Sequence, residues 1–187
     1  MEMTSTRSVP APVETVWAAL NDPGMLRGCI PGCDAIEPDG ENAYRIAMVA
    51  KVGPVSAKFT GRMQLADVDP PRGYTLSFDG QGGAAGFAKG EAKVSLAPAE
   101  SGAATALSYT VKAQVGGKIA QIGSRLVDGA AQKLADDFFG RFSDAVAVKA
   151  GVAPAAVAPA RRWPWVRYIA IAFILGVVAW LFSRMAG

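Results

Sequence analysis

A chain of 187 residues and 19.4 kDa, 51% hydrophobic and 19% charged, holds one ordinary domain and a small appendage rather than two full domains. Four Trp, four Tyr and eight Phe exclude a disordered chain. The net charge of +3 and the pI near 9.0 suggest a nucleic-acid binder only until the charges are located: four of the nineteen basic residues and none of the sixteen acidic ones lie from Arg161 onward. The body is near neutral and lacks the clustered Lys and Arg that phosphate-backbone affinity requires, so nucleic acid is not an expected partner. The complete absence of His removes the commonest general base and the commonest ligand of catalytic zinc.

Glu2 to Val9 reads as a first strand. After Pro10 and Pro12, Val13, Val16, Trp17 and Leu20 recur at helical spacing up to Asp22-Pro23, and a second short helix is expected over Met25 to Cys29. Cys29 and Cys33 are too few for a disulfide framework or a four-ligand metal site and read as structural thiols. Pro31-Gly32 breaks the chain, and Cys33 to Glu37 begins the main sheet. Tyr44, Ile46, Met48, Ala50 and Val52 then share one face of a strand, and Gly53-Pro54 turns it. Val55, Ala57, Phe59, Gly61, Met63 and Leu65 alternate with polar residues in the clearest strand. Beyond the Asp69-Pro70-Pro71-Arg72-Gly73 turn, Tyr74, Leu76 and Phe78 face inward. Gly80 to Gly86, GQGGAAG, fits the loosest dinucleotide-loop pattern but does not open a helix in a βαβ unit, so it is expected to be a mobile hairpin, a flap or a docking surface. Ala88, Gly90, Ala92, Val94 and Leu96, then Leu107, Tyr109, Val111, Ala113 and Val115, supply two more inward faces. Lys89, Glu91 and Lys93 form an outward charge ladder.

From Lys118 to about Val148 the sequence has no Pro and reads as one helix, with Ile119, Ile122, Leu126, Ala130, Leu134 and Phe138 as its inward stripe and Val127, Ala131 and Phe139 broadening it. Asp136 and Asp137 are adjacent on it, diverge, and read as solvated. The expectation is an α+β domain over residues 1–148, in which a curved antiparallel sheet of seven strands wraps a long C-terminal helix. Residues 149–162, KAGVAPAAVAPARR, form an Ala/Pro-rich linker. Residues 163–183 form a transmembrane anchor, since Trp165 to Phe182 would span roughly 27 Å as a helix, with aromatic residues at both boundaries. Residues 184–187 are a short tail. Arg161, Arg162 and Arg167 precede the span and only Arg184 follows it, which places the domain on the cytoplasmic side of the cytoplasmic membrane. The opening MEMTSTRSVPAPVE lacks the plan of a secretory signal.

The inward positions are small in places: Ala57, Gly61, Ala88, Gly90, Ala92 and Ala113 face a helix that carries Gly123, Gly129, Ala130 and Ala131. Either the backbones approach closely or room remains for an apolar guest. A curved sheet cannot follow a straight helix everywhere, which favours a cavity. Met48, Phe59, Met63, Phe78, Phe87 and Tyr109 would line it, with Ile122 and Leu126 from the helix. No nucleophile has an evident activating base and no metal site is visible, so nothing advances a catalytic residue.

The stretches GCIPGCD (Gly28 to Asp34), KVGPVSAKFTG (Lys51 to Gly61), GFAKGEA (Gly86 to Ala92) and VGGKIAQIGSRLVDGAAQKLADDFF (Val115 to Phe139) closely resemble the CoxG family of carbon monoxide dehydrogenase subunits, within the START-like, or SRPBCC, superfamily. The resemblance covers about residues 1–147. It implies a helix-grip fold around a deep hydrophobic cavity, in a non-catalytic accessory protein encoded beside molybdenum hydroxylases of the carbon monoxide dehydrogenase type. The implied partners are that hydroxylase complex and membrane lipid or a respiratory quinone. The implied ligand is a bound menaquinone or ubiquinone, with no covalent cofactor. Two other classes stay open: a cyclase- or hydrolase-like enzyme acting on a hydrophobic substrate, and a simple membrane tether without ligand.

The anchor is directly testable. Full-length protein is expected to resist alkaline carbonate extraction from membranes; its release into the supernatant would mean a peripheral helix instead.

Overall fold

The structure, a computed structural model, describes residues 1–99 and 102–151. The anchor, the tail and the linker from residue 152 onward lie outside the described residues. Among the described residues no helix is long and apolar enough to cross a membrane.

The elements are β1 (Glu2–Val9), α1 (Val13–Leu20), α2 (Pro23–Cys29), β2 (Cys33–Pro38), β3 (Ala43–Val52), β4 (Val55–Asp69), β5 (Gly73–Gln81), a 3-10 turn (Gly83–Ala85), β6 (Phe87–Pro98), β7 (Thr105–Gly116), α3 (Lys118–Gln121) and α4 (Ser124–Lys149). The strands form one antiparallel sheet of seven in the order β1-β7-β6-β5-β4-β3-β2. Chain neighbours therefore pair all the way from β2 to β7, and only β1 is brought back to the far edge. Local chemistry sets the joints. The Asp22 carboxylate accepts from the Gly24 and Met25 amides at 3.0 and 3.2 Å and caps α2, whose first residue is Pro23. The Thr105 hydroxyl, fully buried, donates to the Ala11 carbonyl at 2.7 Å and ties the start of β7 to the entrance of α1.

The expected single helix from Lys118 is broken. Gly123 has a φ of +97°, backbone geometry that no α-helix contains, so α3 is a single turn and α4 starts afresh at Ser124. The inward stripe follows the expected one except at two leucines. Phe142, Val146 and Ala147 are fully buried and Val127, Ala131, Phe138 and Phe139 half-buried, whereas Leu126 and Leu134 are 51% and 39% exposed. The two leucines lie on the shoulder of the stripe.

The fully buried core lies at one end. Phe142 and Val146 cluster with Val9 of β1, Val16 and Ala19 of α1, Cys29 of α2, and Leu107 and Tyr109 of β7. From there α4 crosses the sheet: Phe139 stacks on Tyr109 of β7 at 5.0 Å, Asp136 pairs with Arg7 of β1, and Leu126 lies beside Gly53 of the β3–β4 turn. That path covers about five strand spacings, roughly 24 Å, within a helix about 39 Å long.

The two ends of α4 are expected to respond differently to truncation. Phe142→Ala should cost about 3–5 kcal/mol and Leu126→Ala no more than about 0.5 kcal/mol, as measured by chemical denaturation.

Candidate functional site

The inner face of β3–β5 is apolar yet not closed off. Its cross-strand rows follow from the register: Met48 opposite Phe59, then Tyr44, Met63 and Phe78, then Leu65, Leu76 and Ala92. Side chains in such rows point to one face and touch. Apart from Ala92, every one of them is half-buried rather than buried. Fully buried residues gather instead under the C-terminal half of α4, so the inner face beneath its N-terminal half is a shallow hollow, apolar and only partly covered. Near its upper end the hollow is bordered by the Gly53 turn, Ile122 and Leu126. A Cβ on Gly53 would meet the methyls of Leu126 and Ile122 at 3.8 and 3.9 Å.

The structure sorts the sequence-predicted lining residues. Met48, Phe59, Met63 and Phe78 share the inner face, and Ile122 and Leu126 sit at its upper end. Tyr109 shares that face but is 6% exposed and stacked on Phe139, so it is part of the solid core. Phe87 is on the opposite face. It pairs with Gly116 in register, its ring occupies the space where Gly116 would carry a Cβ, and the Lys89 ammonium lies 5.9 Å from its centroid. Strand alternation had already placed Ala88 inward, so its neighbour had to face out.

The glycines also carry a different meaning from the expected one. A Cβ on Gly61 or Gly90 would fall closer than 3.0 Å to the backbone of the neighbouring strand, at Asp79-Gly80 and Lys112-Ala113 respectively. They permit close approach of strands and do not hold volume open. Gly80 to Gly86 forms a hydrogen-bonded turn: the Gly82 amide donates to the Gly86 carbonyl at 2.7 Å, the Ala85 amide to the Gly82 carbonyl at 3.1 Å, and Ala85 is buried. Gly82 lies against the ring of Phe59, where a Cβ would not fit unless the ring moved.

Sequence reasoning passed over several polar groups near the hollow. Tyr74 lies in the inner face with Trp17 of α1 edge-on to its ring at 5.8 Å. Burial, with Tyr44 nearby, pushes its phenol up to about 12. Alternation had put Tyr44 and Tyr74 inward, but their aromatic character was read only as core. Arg7 gave no signal in a Ser/Thr-rich strand. Its guanidinium pairs with Asp136 and lies 5.8 Å from the Phe139 centroid. Asp136, expected to be solvated, therefore ties α4 to β1. The Tyr109 hydroxyl raises the Arg7 pKa further, with Asp136 acting in the same direction against desolvation. Among the described residues, neither that hydroxyl nor Arg7 Nε has a hydrogen-bond partner.

The remaining candidates are chemically quiet. Cys29 is buried and Cys33 half-buried, both are free thiols, and burial raises the pKa of each. Among the described residues no three metal-ligating side chains cluster. A shallow depression of about 650 Å³ on the outer face of β5–β7 is lined by Asp79, Lys89, Glu91 and Lys112, a charged surface unsuited to an apolar guest.

The family model of CoxG, a subunit of carbon monoxide dehydrogenase, matches residues 6–147. No curated protein matches the chain. Among solved structures, a conserved protein from Geobacillus kaustophilus is 34% identical with a TM-score of 0.75, covering 80% of this chain and 97% of its own. A START superfamily protein from Mycobacterium smegmatis is similar at 14% identity and a TM-score of 0.62, covering 79% and 98%. The Zhui aromatase/cyclase from Streptomyces sp. R1128 is similar at 14% identity and a TM-score of 0.59, covering 82% and 98%. At such identities these last two share the fold alone, a START-like α+β fold.

Tyr74 offers a probe of the hollow. Its phenol favours the neutral form in the folded state, so the stability it contributes is complete below pH 10 and lost as pH rises toward 12. Phenolate absorbance should show one late-titrating tyrosine in the folded protein, absent in Tyr74→Phe; ordinary titration of all tyrosines would show that Tyr74 is open to water.

Proposed function

Because the chain belongs to the CoxG family of carbon monoxide dehydrogenase subunits, we propose that it is a non-catalytic accessory protein that holds an isoprenoid quinone in the hollow beneath α4 and brings a molybdenum hydroxylase to the cytoplasmic membrane. The observation that carries the ligand half of this reading is the inner face of β3–β5, where Met48, Phe59, Met63 and Phe78 stay half-buried beside a solid core only a few turns of helix away. Apolar surface left uncovered inside a domain is available to an apolar guest. An isoprenoid chain suits it, because each methylene moved out of water is worth about 0.8 kcal/mol. A carrier can thus do what water cannot, moving such a chain between the bilayer and a soluble enzyme.

The partner half of the proposal takes its support from the family name, which refers to carbon monoxide dehydrogenase. The membrane half rests on the apolar run of residues 163–183. On this reading the domain works at the membrane surface, within reach of both the quinone pool and its enzyme.

The test is to purify the full chain from its own membranes in mild detergent and analyse the organic extract. A stoichiometric isoprenoid quinone is expected. Ala57→Phe, a substitution that points into the hollow, should cut the recovered quinone several-fold while leaving the thermal melt nearly unchanged. Crosslinking before purification should recover the components of a molybdenum hydroxylase. Protein that carries no lipid would leave only the tether reading, and protein that never captures the hydroxylase would remove the recruiting role.

A further inference from the structure

We propose that the end of the domain formed by the β3–β4 turn and the α3–α4 junction docks onto the anionic surface of a lipid bilayer. The inference deepens the membrane reading above and rests on it. At this end, Leu126 is 51% exposed on the first turn of α4, and two turns further along the same stripe Leu134 is 39% exposed. The exposed Pro54 lies at the tip of the adjoining turn, whose Gly53 approaches Leu126 and Ile122. Exposed side chains of this size at the margin of a hollow form an apolar edge facing outward.

Around that edge stand three exposed cations, Lys51, Lys118 and Arg125, and one acidic residue, Asp128. Among the described residues none of the four makes an ion pair, whereas Lys149 at the far end of α4 pairs with Asp22 at 3.8 Å and Lys133 near its middle with Asp137 at 2.8 Å. Three unpaired cations on the segments that carry these apolar side chains match a surface that is anionic at its headgroups and apolar just beneath. An acidic protein surface would meet the cations but leave the leucines without a partner.

Docked in this way, the upper end of the hollow would meet the lipid directly, and a guest would pass between them without crossing water.

The experiment compares amide exchange of the full chain in nanodiscs of phosphatidylcholine alone and of phosphatidylcholine with phosphatidylglycerol. Slower exchange over residues 51–56 and 118–127 in the anionic discs is expected, and the slowing should vanish in the Lys51→Gln, Lys118→Gln, Arg125→Gln triple variant but persist in Lys149→Gln. Where the chain binds vesicles from outside and not through an inserted anchor, loss of the three cations should weaken its flotation with anionic vesicles roughly a hundredfold, at about fivefold per basic residue. Slowing at another face, no dependence on anionic lipid, or protection of these segments only when the hydroxylase is added without lipid would overturn the proposal. Should the chain fail to incorporate into nanodiscs, the anchor is wrong, and flotation then decides docking alone: binding that the triple variant loses supports it, and no binding overturns it.

Discussion

Phe142 and Val146, neither with any exposed surface, fix the C-terminal end of α4 in the cluster formed by β1, β7, α1 and α2. Burial of side chains of this kind is worth roughly 1.5–3 kcal/mol each, and Phe138, stacked on Phe142 at 5.6 Å, extends the same contact by a turn. A second fastening lies just above: Arg7 of β1 pairs with Asp136 and faces the ring of Phe139. With side chains 31% and 50% exposed, that ion pair adds about 1 kcal/mol at most, so its role is to orient the helix more than to hold it. Because α4 is secured so firmly at one end, its other half need not be packed down onto the sheet.

Most of the strands were legible in the sequence because antiparallel pairing of chain neighbours needs only a strict two-residue alternation and recognisable turns, and both are present from Tyr44 to Val115. What could not be read was whatever depends on the neighbouring strand. Gly61 and Gly90 look like sites of spare volume in one dimension, yet in the sheet each faces a backbone too close to admit a Cβ. Phe87 was misassigned for a different reason, since its aromatic character outweighed its parity in the strand. In the helical region Gly123 fits a helical period as well as any small residue, and only its positive φ reveals the break. That break also explains the two misplaced leucines: a pattern counted continuously from Ile119 selects Leu126 and Leu134, while a helix that begins at Ser124 and is aligned by Phe142 turns them toward solvent. Arg7 and Asp136, 129 positions apart, left no local trace of their pairing.

A hollow in a domain of this size needs something to keep it from closing, because unfilled volume costs about 24 cal/mol per Å³. Several contacts act as struts. The ring of Phe59 lies under Gly82, Gly86 and Gly117 press backbone to backbone, and Ala85 and Ile119 are buried in the adjoining turns. This cap rests on β4 and β7, on both sides of the inner face. The cap above and the Phe142 cluster below thus hold α4 at both ends.

The polarity of the hollow then bears on what it can hold. The inward positions of β3–β5 carry no carboxylate, and Tyr44 and Tyr74 provide hydroxyls in an otherwise apolar face. Since the Tyr74 phenol stays neutral up to about pH 12, it remains a hydrogen-bond donor throughout the physiological range. A purely aliphatic guest would leave such a donor unmatched at a cost of about 1–3 kcal/mol, whereas a guest with an apolar tail and a carbonyl head would satisfy it. On the proposed reading, the tail lies along Met63 and Phe78 and the carbonyl end turns toward Tyr44 and Tyr74. The same two tyrosines that look like ordinary core residues in the sequence would then favour a quinone over a hydrocarbon of equal length.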